Sequence, residues 1–79
     1  MNAGFLTHAY EALGMDPSDE ATKVLLDGLK SRSALVREGA IYGLTSRVGV
    51  PGVRAVLEKI AKNDPSTEVR AAAQGALDD

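Results

Sequence analysis

Apolar residues recur at helical spacing in two segments of the chain. They fall at i, i+3, i+4, i+7 and i+8, the spacing that places apolar side chains on one face of an α-helix. The first segment contains Ala21, Val24, Leu25, Gly28 and Leu29, and the second contains Val53, Val56, Leu57, Ile60 and Ala61. The pattern predicts two amphipathic helices, each with its apolar face turned toward the interior of the protein.

Three other segments are copies of one another. The ten residues that begin at Leu35 (LVREGAIYGL) realign with the ten that begin at Glu68 (EVRAAAQGAL), so that a Val-Arg pair, a central Ala and a final Leu coincide. A weaker copy near the start of the chain contains Phe5, Ala9 and Leu13. These copies alternate with the two amphipathic segments. A fixed period of this kind is typical of helical repeat proteins.

The caps and helix breakers in the sequence divide this pattern into five helices. Asp16-Pro17 and Asp64-Pro65 each offer an N-cap acceptor followed by proline at the first helical position, Ser33 can cap the third helix, and Gly49 with Pro51 marks a stop. We predict helices near residues 2–13, 17–30, 34–47, 51–62 and 65–77. The predicted fold is an all-α superhelix of about five antiparallel helices, with two full hairpins and one preceding helix, in a single domain spanning residues 1–79.

Four glycines fall inside the predicted helices: Gly28, Gly39, Gly43 and Gly75. Each costs roughly 1 kcal/mol relative to alanine in a helix interior. We expect close approach between the backbones of stacked helices to offset this cost.

The segments around Val36-Arg37 and Val69-Arg70 resemble the second helices of HEAT repeats, in particular the short repeats of phycobilin lyases. The resemblance covers roughly residues 17–78. It implies that an Asp and an Arg from successive repeats form a hydrogen-bonded ladder, which here consists of Asp64, Arg70 and Arg37. Ser31 replaces the Asp of the first full repeat, so we expect Arg37 to reach Asp64. The alternative interpretation is that these arginines are exposed and functional.

The composition offers little material for catalysis. The chain is 44% hydrophobic and 25% charged, as globular domains are, and it has no cysteine and one histidine, His8. Thiol chemistry, Cys-based zinc sites and a convincing Ser-His-Asp arrangement are therefore excluded. The acidic residues are scattered, and no pair indicates a general acid and base. We expect no catalytic residue, no metal and no cofactor, and we predict that the protein is not an enzyme.

The formal net charge of −2 gives no bulk attraction for nucleic acid. Basic residues do occur near the predicted helix ends (Lys30, Arg32, Arg37, Lys59 and Lys62), but no aromatic residues interleave with them for base stacking. Nucleic-acid binding is therefore an alternative rather than the leading hypothesis. The first residues lack the basic and apolar regions of a signal peptide and no membrane span is predicted, so we expect a cytoplasmic location.

The candidate interface residues are Tyr42, Glu38, Phe5 and Tyr10. Tyr42 falls beside Glu38, away from the apolar stripe of its helix, and is either an interface anchor or a side chain that leans over the neighbouring helix. Phe5 and Tyr10 give the first helix a broad apolar face, and we expect the last helix to present little polar surface. A terminal face is therefore expected to bind another chain, either an identical copy or a different protein.

The leading hypothesis is a noncatalytic protein-interaction or scaffold module. The resemblance to phycobilin lyases adds a second alternative, an accessory subunit similar to those enzymes. A repeat signature describes a scaffold, however, and does not by itself indicate an activity.

Overall fold

The structure, a computed structural model, describes residues 18–78 of the chain. These residues form four α-helices: α1 (Asp19–Gly28), α2 (Ala34–Leu44), α3 (Val53–Asn63) and α4 (Thr67–Asp78). A short 3₁₀ helix, Thr45–Arg47, follows α2, and no strand occurs among the described residues. The all-α prediction is confirmed, and the four helices correspond to four of the five predicted ones. The first predicted helix, residues 2–13, lies outside the described residues.

The helices form two hairpins that pack against each other. In the first hairpin α2 packs on α1, and in the second α4 packs on α3, while α2 also packs on α4. The second helices of the two hairpins are therefore neighbours. Because α2 is covered on two sides, it buries Ile41 completely as well as Ala40 and Leu44. The apolar stripe predicted for this helix consists of Val36, Ala40, Gly43 and Leu44, so Ile41 lies outside it. A single stripe describes a helix with one neighbour, whereas α2 has two.

The core is built from aliphatic residues of all four helices. Its buried members are Leu25, Leu29, Ala40, Ile41, Leu44, Val53, Leu57, Val69, Ala73 and Ala76. Val24 and Val56 were expected on the buried faces of α1 and α3, but both remain well exposed. Each valine lies at the edge of the apolar stripe of its helix, and the neighbouring helix covers mainly the centre of that stripe. Both side chains therefore remain partly in solvent.

Serines cap three of the four described helices, α1, α2 and α4, while no side chain caps α3. The predicted cap at Asp16-Pro17 lies outside the described residues. Ser18, Ser33 and Ser66 each accept a hydrogen bond from the backbone N–H three residues later, at 3.1, 3.4 and 3.3 Å. The Ser33 prediction is confirmed. Pro65 precedes α4 by two residues and does not open it, because Ser66 lies between them and caps the helix. A residue before proline is driven to extended backbone. Asp64 is indeed extended, with φ −63° and ψ 137°.

Two other boundaries differ from the prediction for local reasons. Helix α3 begins at Val53 and not at residue 51, because Gly52 takes a left-handed conformation with φ 92° that glycine adopts easily. Helix α2 ends at Leu44, and the predicted continuation to residue 47 is 3₁₀. There the Thr45 hydroxyl donates to the carbonyl oxygen of Ile41 at 3.1 Å, a bond that competes with the α-helical pattern.

The glycines inside the helices fall into two groups. Gly28, Gly39 and Gly43 are buried, and close backbone approach at these three positions stays a prediction. Gly75 is exposed, and a Cβ atom added there would meet nothing within 4 Å. The predicted close approach is therefore wrong at Gly75, because this side of α4 faces an open groove.

Candidate functional site

Arg37 and Asp64 form a buried ion pair between the two hairpins. Nε and Nη2 of Arg37 donate to the two carboxylate oxygens of Asp64 at 2.9 and 3.1 Å. The side chains are only 13% and 7% exposed. Arg37 sits in the first turn of α2 and Asp64 in the turn between α3 and α4, so this bidentate pair fixes the position of one hairpin relative to the other.

The two arginines also make equivalent bonds within their own repeats. Nη1 of Arg37 donates to the carbonyl oxygen of Ser31 at 2.9 Å, and Nη1 of Arg70 donates to the carbonyl oxygen of Asp64 at 2.6 Å. Each acceptor lies six residues before its arginine. Nη2 of Arg70 also donates to Thr67 Oγ1 at 3.1 Å. The structure thus brings Arg37, Asp64 and Arg70 into one hydrogen-bonded network.

The surroundings of the Asp64 carboxylate lower its pKa. Burial alone raises the pKa of Asp64, but the hydrogen bonds from Arg37 and from the Ser66 N–H, with the charges of Arg37 and Arg70, lower it below its ordinary value. All the polar contacts of this carboxylate are made inside the protein. Their arrangement stabilises the turn before α4 and leaves only 7% of the Asp64 side chain exposed.

Arg47, which the sequence analysis did not single out, is a buried arginine in the 3₁₀ helix. Its Nη1 donates to Thr22 Oγ1 at 2.8 Å and to the carbonyl oxygen of Ser18 at 3.4 Å, and so ties the end of the first hairpin to the start of α1. A signal for it was present, because Arg47 continues the stripe of Val36, Ala40 and Leu44 at helical spacing.

A groove of about 710 Å³ runs between the two neighbouring second helices, α2 and α4. We call it the α2–α4 groove. Its α2 side carries Glu38, Tyr42 and Thr45, and its α4 side carries Glu68, Ala71, Ala72, Gly75 and Ala76. The floor on α4 is made of small residues, while the α2 side carries the one aromatic group. The groove therefore combines a smooth apolar surface with a few polar groups, as binding sites commonly do.

Tyr42 and Glu38 form a hydrogen-bonded pair on this groove. The Tyr42 hydroxyl donates to a carboxylate oxygen of Glu38 one helical turn earlier at 2.8 Å, while 49% of Tyr42 remains exposed. Residue 75 is the repeat equivalent of Tyr42, and it is a glycine. The tyrosine therefore faces a helix that carries no side chain at the matching position, and space remains beside it.

The remaining interface predictions concern the first and the last predicted helix. Phe5 and Tyr10 lie outside the described residues. The expectation that the last helix has little polar surface is wrong, because its apolar residues are turned inward. Val69, Ala73 and Ala76 are buried against α2 and α3, whereas Thr67, Glu68, Gln74 and Asp78 are exposed.

Residues 18–78 hold no group of three or more His, Cys, Asp or Glu side chains that could bind a metal ion. Within the same residues, none of the helices has both the length and the apolar character needed to cross a membrane.

The family profile for HEAT repeats matches residues 4–78, nearly the whole chain. No curated protein and no solved structure matches the sequence. The profile confirms the resemblance to HEAT repeats, while a closer relation to phycobilin lyases stays a prediction. Two stacked helical hairpins and a match over residues 4–78 lead to one conclusion: the chain belongs to the HEAT repeat family.

Proposed function

We propose that this chain is a noncatalytic protein-interaction module that binds a partner in the α2–α4 groove. HEAT repeats are helical modules often used for protein interaction, because stacked repeats create extended binding surfaces. The observation that carries the proposal is the half-exposed Tyr42, held by Glu38 at the edge of a groove floored by small residues.

Tyr42 is suited to be the central contact of an interface. Tyrosine is one of the residues whose truncation costs the most binding free energy, because it combines a large apolar ring with a polar tip. The hydrogen bond to Glu38 restricts the side chain before a partner arrives, so less conformational entropy is lost on binding.

The opposite side of the groove lets a partner approach closely. Ala71 and Gly75 are exposed on α4 and project no long side chain into the groove. Because both walls are helices packed on the common core, the groove keeps its shape without a ligand. A preformed concave surface with one aromatic anchor supports recognition of a protein segment.

A scaffold role also agrees with the available chemistry. The sequence has no cysteine and one histidine, and the buried charged network of Arg37, Asp64 and Arg70 satisfies its own members. Catalysis requires a nucleophile, an acid–base pair or a metal in convergent geometry. The α2–α4 groove offers two carboxylates, a phenol and the Thr45 hydroxyl, and its described lining contains no histidine, cysteine or lysine.

Affinity capture with groove variants tests this proposal. Wild-type protein, Tyr42→Ala and Val24→Ala are used as bait in a lysate of the native cells, and Val24 is a matched control because it is 44% exposed on α1, outside the groove. We expect a protein captured by the wild type and by Val24→Ala to be lost with Tyr42→Ala. Equal capture by all three baits would place the interface elsewhere.

Other functions predicted from the sequence have their own tests. Steep salt-dependent binding to duplexes would support the nucleic-acid alternative, although Arg37 is already engaged by Asp64. A change in bilin absorbance on mixing would support an accessory role similar to phycobilin lyases. A homodimer formed through a terminal helix face predicts a mass of two chains in light scattering at micromolar concentration, and a stable monomer would contradict it.

A further inference from the structure

The α2–α4 groove carries two negative charges that nothing in the described chain neutralises. Glu38 and Glu68 line it from opposite helices, and each carboxylate accepts a hydrogen bond from a neutral hydroxyl group. The donors are Tyr42, at 2.8 Å, and Ser66, at 3.1 Å. No lysine or arginine of residues 18–78 lines the groove or pairs with either carboxylate.

Other acidic side chains of the protein show the contrast. Asp64 is paired with Arg37 in the core, and Glu58 lies 3.8 Å from Arg54 on the surface of α3. Arg37 and Arg54 are thus paired outside the groove, while the groove keeps a local excess of negative charge. A bound partner that supplied a cation would find two carboxylates ready to accept hydrogen bonds from it.

We propose that the α2–α4 groove binds a polypeptide segment that carries arginine or lysine, with its positive groups between Glu38 and Glu68. This inference rests on the proposed function and names the chemistry of the partner. Charge complementarity decides the class of occupant, because two carboxylates repel the phosphates of a nucleic acid and attract basic side chains.

The shape of the groove fits long basic side chains. Arginine and lysine bury their methylene stems on apolar surface while the charged head stays hydrated. Ala71, Ala72 and Gly75 offer such a surface in the same groove as the two carboxylates. A cation held by Glu38 also lies near the Tyr42 hydroxyl, because the phenol is bonded to that same carboxylate.

Nuclear magnetic resonance titration with paired peptides provides the test. The two probes are alanine-based helical peptides, one with arginines along one face and the other with glutamates at the same positions. Backbone amide shifts of the isotope-labelled protein report even millimolar binding and locate it. We expect the arginine peptide to shift the amides of Glu38, Tyr42, Ala71 and Gly75, and the glutamate peptide to leave them unchanged.

Charge variants show whether the carboxylates are responsible. Glu38→Gln and Glu68→Gln keep the size of the side chain and remove its charge. Each is expected to lower the affinity for the arginine peptide about threefold, and the double variant about tenfold. Glu58→Gln makes the same chemical change outside the groove and should leave affinity unchanged. Raising the salt concentration from about 0.05 to about 0.5 M should weaken the wild-type complex.

A variant that fills the groove without destabilising the protein distinguishes a loss of peptide binding from a loss of folding. Gly75→Leu places a side chain in the open space of the groove while improving helix propensity, so thermal stability should be maintained or raised as peptide binding is lost. Arginine-peptide shifts that survive in Gly75→Leu, or that map outside the groove, would overturn the proposal.

The two levels of the proposal fail in different ways. If the groove amides shift with the glutamate peptide and not with the arginine peptide, the groove binds protein but the basic partner is wrong. If neither peptide shifts them, the basic partner is again wrong, and the capture experiment with Tyr42→Ala decides the proposed function separately. The charge argument would also be refuted if the arginine peptide shifted the amides of the groove equally in the wild type, in Glu38→Gln and in Glu68→Gln.

Discussion

Removal of the Asp64 carboxylate should destabilise the fold strongly, because it breaks a buried ion pair between the two hairpins. Asp64→Ala deletes the acceptor of two bonds from Arg37, at 2.9 and 3.1 Å, and of one bond from the Ser66 N–H at 2.9 Å. The guanidinium of Arg37 is then left in a site where its side chain is only 13% exposed. The main cost is therefore the burial of an unpaired charge.

The size of the effect follows from this burial. Breaking a buried ion pair by removing one partner costs about 3–5 kcal/mol. Arg37 keeps its bond to the Ser31 carbonyl and some contact with water, so we expect the lower end, about 3 kcal/mol. A chain of 79 residues has a free energy of unfolding of roughly 4–12 kcal/mol. Asp64→Ala should thus remove at least a quarter of the total stability.

Urea unfolding followed by circular dichroism measures this loss. Arg54→Ala is the control, because Arg54 and Glu58 lie 3.8 Å apart with their side chains more than half exposed, and it should cost under about 0.5 kcal/mol. A double-mutant cycle with Arg37→Met should give a coupling of about 2 kcal/mol between positions 37 and 64. If Asp64→Ala cost no more than Arg54→Ala, or if the coupling were zero, the ladder would not hold the hairpins together.

Three further predictions concern the glycines and pH. Gly75→Ala should raise the free energy of unfolding by about 1 kcal/mol, since the helix gains propensity and the new Cβ meets nothing, and a lower melting temperature would contradict the open site. Gly43→Leu should lower the free energy of unfolding by about 1–3 kcal/mol, because residue 43 is buried and the larger side chain must be forced into the packed core. An unchanged melting temperature would refute this packing. The pKa of Asp64 is lowered in the folded state. The ionised carboxylate therefore contributes its full stabilisation above the unfolded-state pKa of about 4, and this stabilisation is lost as pH falls through the folded-state pKa. The stability difference between wild type and Asp64→Asn should therefore shrink as pH falls below about 4, and a constant difference would argue against the shift.

Helix number and pairing in the described residues followed from local sequence rules. The repeat of the Val-Arg segments places Arg37 and Arg70 at equivalent positions, and helical spacing identifies most of the buried aliphatic residues. These features are encoded over a few helical turns. The resemblance to HEAT repeats could therefore be stated before any packing was known, and the family profile confirms it.

The features that the sequence did not reveal depend on neighbours distant along the chain. Ile41 is buried because α2 packs on both α1 and α4, and Gly75 is open because it faces Tyr42 across the groove and not a packed backbone. The spacing of residues on a single helix predicts neither the burial of Ile41 nor the exposure of Gly75. The charge of the groove likewise appears only when Glu38 and Glu68 are brought to one surface from segments thirty residues apart in the chain.

Site-specific photocrosslinking in the native cells tests the central claim, that the α2–α4 groove binds a protein partner. A benzophenone amino acid replaces Tyr42 in one variant and Val56, which is exposed on α3 outside the groove, in the other. The account predicts a crosslinked protein adduct from position 42 that is absent from position 56 and disappears when Gly75→Leu is added. Adducts of equal yield from both positions, or an adduct from position 42 that persists with Gly75→Leu, would contradict it.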